Sequence, residues 1–372
     1  MKLRHRAKIG LTAVLVLAAG VLMALLLRGP RLYTVTVLPS LDGLDMVPRS
    51  INDRGQVVGV AGPDNNIFHL FSWDRESGIR DLGPVRDSRL DNNNAGQIVG
   101  TTTDPNGRGQ AFLWDPDRGM ILLRTFGGSG SMASAINNRG RVVGCSFVPV
   151  SGAHGRDQAH AFLWDEAGDM RDLGTLGGST SHAYAITDAG RVYGVSVVAR
   201  DGRQFVTSCY WETADAGMPG MLLPGPGYAH MNGNGGIVAK DDSNADGSYI
   251  VLWDDDAGLR RLFRCKPDSE RLRMTTLLIN SMNQVASSEI HQHNRNGLWS
   301  RLTGGLFEPR VKSYVWDPRR HRIPLDRYVP RGMRDLAVHD LNNRGDIIAE
   351  AHEGNGGIRA ILLEPIPSRW NR

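Results

Sequence analysis

The apolar residues of this chain fall in short runs, broken every few positions by Gly, Asn, Asp or Pro. Val142-Val143-Gly144-Cys145 and Ala161-Phe162-Leu163-Trp164 are typical. β-Branched and aromatic residues dominate these runs, which are too short for helices, so the pattern predicts strands. The runs recur. A Trp-Asp step stands at Trp73-Asp74, Trp114-Asp115, Trp164-Asp165, Trp253-Asp254 and Trp316-Asp317, with Trp211-Glu212 as a variant. An apolar-Asn-x-x-Gly step stands at Ile51 to Gly55, Ile136 to Gly140 and Leu341 to Gly345, with weaker copies ending at Gly96, Gly190, Gly235 and Asn283. Each copy reads as four strands: one ending at Ile-Asn, a second after the Asn-x-x-Gly hairpin, a third at Ala-Phe-Leu-Trp and a fourth at Met-Arg-Asp-Leu. Four strands in about 45 residues is the size of a propeller blade.

The expected fold is therefore all-β: a seven-bladed β-propeller over 31–366, with a short tail at 367–372. The seventh copy stops after its third strand, while Tyr33 to Leu38 lies alone before the first copy. That N-terminal strand is expected to close the ring as the outer strand of the last blade, covering an edge that would otherwise invite aggregation. An open β-solenoid, which would need no such split repeat, is the competing architecture.

The signature His160-Ala161-Phe162-Leu163-Trp164-Asp165, Asp172-Leu173-Gly174-Thr175-Leu176-Gly177-Gly178 and Ala185-Ile186 to Gly194 resembles the bacterial HAF-repeat family of predicted extracellular proteins. The resemblance covers residues 33 to 363. It implies a secreted or surface-exposed propeller and carries over no activity and no catalytic residue.

Residues 1–30 are expected to be a basic stub and a signal anchor. Lys2, Arg4, Arg6 and Lys8 precede Ile9 to Leu27, an apolar and small run long enough to span a bilayer. Leu25-Leu26-Leu27-Arg28 is a poor cleavage site. The expected location is the inner membrane with the propeller outside, in the periplasm or extracellular. Secretion after signal cleavage is the alternative. Apart from those four basic residues the chain carries 39 charges of each sign, so no basic field exists to hold nucleic acid. Cys145, Cys209 and Cys265 make no disulfide framework and read as small buried side chains.

Candidate chemistry is sparse. Asp242, Asn244 and Asp246, followed by Gly247, match the start of a calcium loop but lack the closing Glu. Calcium is the one cofactor the sequence suggests. Glu289-x-His291-x-His293 puts three metal-ligand types on one strand face. His160 and the repeated Trp residues read as packing, and the Asp after each Trp as a hairpin cap. The inner strands should line the central channel. Two residues before the Asn step stand Arg49, Ser134, Tyr184, Ala229, Leu277 and His339, with His182, His230 and Asp340 nearby and blade two unassigned. Arg49, Tyr184, His230 and His339 are the expected ligand-binding residues of the channel mouth. No nucleophile–base spacing is visible, so no catalytic residue is assigned. A binding, interaction or structural module with a protein or glycan ligand is expected ahead of catalysis. An exported glycan hydrolase or lyase working at the channel mouth is the alternative.

Overall fold

The computed structural model describes residues 31–370 except 65–66, 86–88, 105, 151–156, 168, 201, 213–228, 242–248, 255–257, 265–271, 292–309 and 320. The chain is an all-β, seven-bladed propeller. Six of its seven sheets have four strands, and the fourth has three among the described residues. Each blade is an antiparallel meander. In blade three, Ser131–Ile136, Val142–Val148, Gln158–Asp165 and Asp169–Gly174 follow one another outward. The remaining inner strands are Met46–Ile51, Leu90–Asn92, Gly177–Ile186, Ala229–Met231, Leu272–Ile279 and Met333–Leu341. In the seventh sheet Tyr33–Val37 is the outer strand, beside Ile358–Pro365. The split repeat thus closes the ring, and the open solenoid is excluded.

Two units are distinguished: Val35–Leu363, and the two chain ends 1–34 with 364–372. In the smaller unit Ile366 N donates to the Leu32 carbonyl at 2.8 Å and Thr34 Oγ1 to the Glu364 carbonyl at 3.3 Å. No helix among the described residues is long and apolar enough to cross a membrane. Ile9 to Leu27, the expected anchor, lies outside the described residues.

The blades are held together by apolar layers between neighbouring sheets. Val99, Ala111 and Leu113 of blade two meet Ala133, Val142, Phe162 and Trp164 of blade three. Trp73, Trp114, Trp211 and Trp316 sit in the equivalent layers, each facing the preceding blade. Trp211 Nε1 donates to the Leu173 carbonyl at 2.7 Å, which satisfies the one polar group such a ring buries. The Asp after Trp caps the following hairpin: Asp74 Oδ1 accepts from Ser77 N at 2.7 Å and Asp317 Oδ1 from Arg319 N at 2.9 Å. Cys145 and Cys209 are buried free thiols, each pushed up to about 12 by burial. Cys265 lies outside the described residues.

A bulge in the inner strand sets what faces the channel. The pairing skips Arg49 between Pro48 and Ser50, Ser134 between Ala133 and Ala135, Tyr184 between Ala183 and Ala185, and His339 between Val338 and Asp340. An extra residue at a bulge is left out of the ladder and its side chain is re-aimed. The bulge also accounts for the glycine of Val-Val-Gly. A Cβ at Gly144 or Gly194 would overlap the carbonyl of Met132 or His182 on the bulged strand.

Blade one carries a counterpart of the signature histidine, four residues before its Trp-Asp step. Leu70 faces Gly83 as Ala161 faces Gly174, so His69 and His160 are equivalent. His69 Nδ1 lies 2.9 Å from Asp81 Oδ2, and His160 Nδ1 lies 2.8 Å from Asp172 Oδ2. Both pairs fasten the third strand to the fourth at the blade surface.

Candidate functional site at the channel mouth

Seven hairpin turns converge at one end of the channel, and the first residue of each is Asn52, Asn93, Asn137, Thr187, Asn232, Asn280 or Asn342. Locally each Asn does what its turn requires. Asn52 Oδ1 accepts from Arg54 N and Gln56 N, both at 3.0 Å, while its carbonyl accepts from Gly55 N at 3.0 Å. Its amide nitrogen does something a local reading misses. Asn52 Nδ2 donates to the Asn93 carbonyl at 2.8 Å, Asn93 Nδ2 to Asn137 at 3.1 Å, and Asn137 Nδ2 to Thr187 at 3.0 Å. On the other side Asn232 donates to Asn280 at 3.0 Å, Asn280 to Asn342 at 2.9 Å, and Asn342 back to Asn52 at 2.9 Å. A carboxamide does both with separate atoms, its oxygen accepting within the turn while its nitrogen reaches the next blade. A second tier lies one residue on. Asp53 N donates to Asn94 Oδ1 at 2.9 Å, Asn94 N to Asn138 Oδ1 at 2.8 Å, Asn138 N to Asp188 Oδ1 at 2.8 Å, Ser281 N to Asn343 Oδ1 at 2.8 Å and Asn343 N to Asp53 Oδ1 at 2.8 Å.

Beneath the rings lies a cavity of about 540 Å³, lined by 49–53, 90–94, 134–138, 184–186, 188, 230–234, 278–281 and 339–343. Arg49, Tyr184, His230 and His339, the expected mouth residues, all line it. So do Ser134 and Asp340, with Leu90 and Asp91 filling the unassigned place in blade two. One residue departs from expectation. Leu277 belongs to the apolar layer with Val238 and Leu252 and does not line the cavity. In blade six the bulge falls earlier, between Met274 and Thr276, so Leu277 pairs regularly and Leu278 takes the channel position. The described inner strand of blade five pairs without a bulge, and His230 takes that place.

The lining has two halves. On the side of blades seven, one, two and three, two carboxylates staple neighbouring blades. Asp340 Oδ2 accepts from Ile51 N at 2.9 Å and Oδ1 from Leu341 N at 2.8 Å. Asp91 Oδ2 accepts from Ile136 N at 2.9 Å and Oδ1 from Asn92 N at 2.9 Å. Between them Ser50 Oγ stands 3.0 Å from Asp91 Oδ1, 2.8 Å from Asn92 Oδ1 and 3.2 Å from Asp340 Oδ2. One hydroxyl proton cannot serve three acceptors. Burial, together with the charge of Asp91, pushes the Asp340 carboxyl up to about 6 against the N–H groups that favour its anion. Burial likewise raises Asp91. Arg49 Nη1 lies 3.3 Å from His339 Nδ1, and since guanidinium has no lone pair to give, that nitrogen accepts. His339 Nε2 then carries the proton and faces Glu350 Oε2 at 2.9 Å. Burial works against the Glu350 anion, but the hydrogen bond from His339 and the positive charge of Arg49 outweigh it and hold the carboxyl below its ordinary value.

The opposite half holds no such staple among the described residues. Ser134 Oγ is 3.0 Å from His182 Nε2, and the His182 ring stacks on Tyr184 with centroids 4.5 Å apart. Burial, with the charge of Arg89, pushes the His182 imidazole down to about 4. Burial alone does the same to His230, also to about 4, and its buried Nδ1 has no hydrogen-bond partner among the described residues.

Of the metal expectations, Asp242, Asn244, Asp246 and His293 lie outside the described residues. Glu289 is nearly buried and accepts from Arg322 Nη2 at 2.9 Å. No group of three metal-ligand side chains occurs among the described residues.

No family model and no curated protein matches the sequence. Solved structures do match its fold. The β-propeller domain of the Trilobed protease from Pyrococcus furiosus aligns with a TM-score of 0.55 at 8% identity, over 87% of this chain and 94% of that one. That domain has an open velcro topology, whereas Tyr33–Val37 completes the last blade here. Puromycin hydrolase aligns with a TM-score of 0.53 at 11% identity over 86% of this chain, and a mutant of it complexed with PGG with 0.57 at 10%. The chain spans 52% of the length of puromycin hydrolase. The likeness is one of propeller fold.

The Asp340 site sets a pH dependence. Its folded pKa lies above the ordinary 3.8, so the folded state holds the proton more tightly. The resulting stabilisation is fully present below about pH 4 and is lost as pH rises through about 6. Asp340→Asn, uncharged throughout, should lack that decline. Urea unfolding of both proteins from about pH 4 to 7 measures the difference. Parallel curves would show that Asp340 does not titrate in this window.

Proposed function

We propose that the protein is an exported, membrane-anchored propeller that binds a polar ligand, a glycan or a partner protein, at the channel mouth. The observation that carries this reading is the use of the two carboxylates. Every oxygen of Asp91 and Asp340 already accepts a backbone N–H. They join blades and are not poised over a reacting bond. Polar groups from all seven blades meet around one cavity, as a small-ligand site requires. Anchoring through Ile9 to Leu27 and calcium at Asp242, Asn244 and Asp246 are parts of the same proposal that rest on sequence alone.

One observation favours the alternative of a glycan hydrolase or lyase. Asp340, pushed up to about 6, stands across Ser50 from Asp91, and two buried carboxylates that face one hydroxyl are an arrangement acid–base work can use. The test uses the full-length chain in detergent, screened on a glycan array and by pull-down from envelope extract. A bound species should be retained by wild type and lost in Arg49→Ala and Tyr184→Ala with the thermal midpoint little changed. Binding that survives both substitutions, or no binding at all, overturns the proposal. Release of reducing or unsaturated sugar ends that stops in Asp340→Asn would replace it with the enzymatic one.

A further inference from the structure

The two rings at the mouth are interrupted at the same seam. Blade four carries Thr187 where the first tier has Asn, and a hydroxyl is too short to repeat the carboxamide bond to the next blade. Among the described residues Asn232, the next member, therefore receives only the turn N–H of Gly235 at its carbonyl. In the second tier blade five carries Gly233, which has no side chain to accept from Asp188 N–H. Among the described residues neither ring bond crosses from blade four to blade five, whereas every other seam has a first-tier bond. The seam's apolar layer of Tyr193, Tyr210, Met231 and Ile237 is nonetheless intact, so the blades stay packed while their polar groups at the mouth lack the partners found elsewhere.

Two side chains of the cavity flank this seam. Tyr184, on blade four, is 39% exposed although it stacks on His182, whereas Ile51, Met231 and Leu341 of the same lining are buried. His230, on blade five, presents the buried Nδ1, which has no partner among the described residues. A ligand for this place must give a proton to the Asn232 carbonyl and accept one from Asp188 N–H. It must also pair with a neutral imidazole and lay an apolar face on an aromatic ring. A carboxylate or phosphate accepts only and meets part of that demand. Hydroxyl groups do both, and a pyranose adds a face of C–H groups that stacks on Tyr.

Resting on the proposed binding role of the mouth, we infer that the seam between blades four and five is a saccharide subsite, with Tyr184 as platform and His230, Asp188 N–H and the Asn232 carbonyl as the polar contacts. The probe is saturation-transfer NMR of the full-length chain with methyl glycosides of glucose, galactose, mannose and N-acetylglucosamine. Citrate and the acyclic polyol sorbitol serve as comparisons. At least one methyl pyranoside should receive saturation, and citrate should not. The signal should be lost in Tyr184→Ala and His230→Ala and kept in Tyr184→Phe. The double substitution Thr187→Asn with Gly233→Asn should abolish it while raising the thermal midpoint, because it rebuilds the missing ring bonds. A Cβ at Gly233 meets the Ser281 hydroxyl at 3.2 Å, a close contact that a small rotation of that side chain relieves. A signal that persists in the rebuilt ring, appears for citrate alone or is absent for all four glycosides overturns the inference. A ligand captured in an Arg49-dependent way that contains no sugar would sink this subsite and leave the binding role standing.

Discussion

Removing residues 1–39 should sharply lower the stability of the propeller, while removing 1–30 should leave it nearly unchanged. The longer deletion takes away Tyr33–Val37, the outer strand of the seventh sheet, and bares the edge of Ile358–Pro365. It also removes Leu38, whose N–H donates to the Ala360 carbonyl at 2.9 Å. Leu38 is 2% exposed in the apolar layer with Met46, Trp73, Ile348 and Leu362, where the last blade meets the first. Loss of a buried Leu side chain alone costs roughly 2–5 kcal/mol. The unpaired edge adds a template for aggregation. Thermal melts and size-exclusion profiles of the two truncations decide the matter. Equal midpoints would mean that the strand is not what closes the ring.

Asn52→Ala should be the most damaging single substitution at the mouth. It deletes the bond to the Asn93 carbonyl and leaves two backbone N–H groups of its own turn, at Arg54 and Gln56, without their acceptor. Asn52 is 5% exposed, so water replaces these contacts poorly. At about 1–3 kcal/mol for each buried group left unsatisfied, the loss should reach about 3 kcal/mol or more. Thr187→Asn supplies a missing donor and should stabilise by about 1 kcal/mol. Chemical unfolding of both variants checks the pair. A cost for Asn52→Ala no larger than that of an ordinary turn substitution would show that the ring bonds contribute little.

These two predictions draw on different layers of information. Closure by the N-terminal strand was legible in the sequence, because Tyr33 to Leu38 has the composition of a strand and the seventh copy lacks one. The packing role of the repeated Trp residues and the capping by Asp74, Asp115 and Asp317 were legible for the same reason: each rests on a pattern that repeats within one blade. The rings were not. Asn-x-x-Gly explains itself locally as a hairpin turn, and the partner of each amide lies 41, 44, 50, 48 or 62 residues along the chain, or 290 where the ring closes. A signal was nonetheless present. A turn would accept Asp or Ser as readily, yet six of the seven copies use Asn, the residue that can accept and donate at once.

The channel lining shows the same division. Arg49, Ser134, Tyr184 and His339 could be found by counting back from the Asn step, because the bulge holds a constant distance in those blades. Leu277 could not, because the bulge of its blade falls two residues earlier without leaving a mark in composition. The staples of Asp91 and Asp340 depend on backbone N–H groups of other blades, which sequence does not display. The equivalence of His69 and His160 is legible in both sequence and structure, since each stands four residues before the Trp of its Trp-Asp step and the strand pairing agrees.

The central claim is that the mouth where the seven blades converge is the binding surface. Hydrogen–deuterium exchange of the full-length chain, with and without a ligand captured in the array or pull-down screen, tests it most directly. Protection should fall on peptides containing 49–53, 134–138, 184–188, 230–234 and 339–343, strongest at 184–188 and 230–234. Protection confined to the outer strands, with these inner segments unchanged, would contradict it.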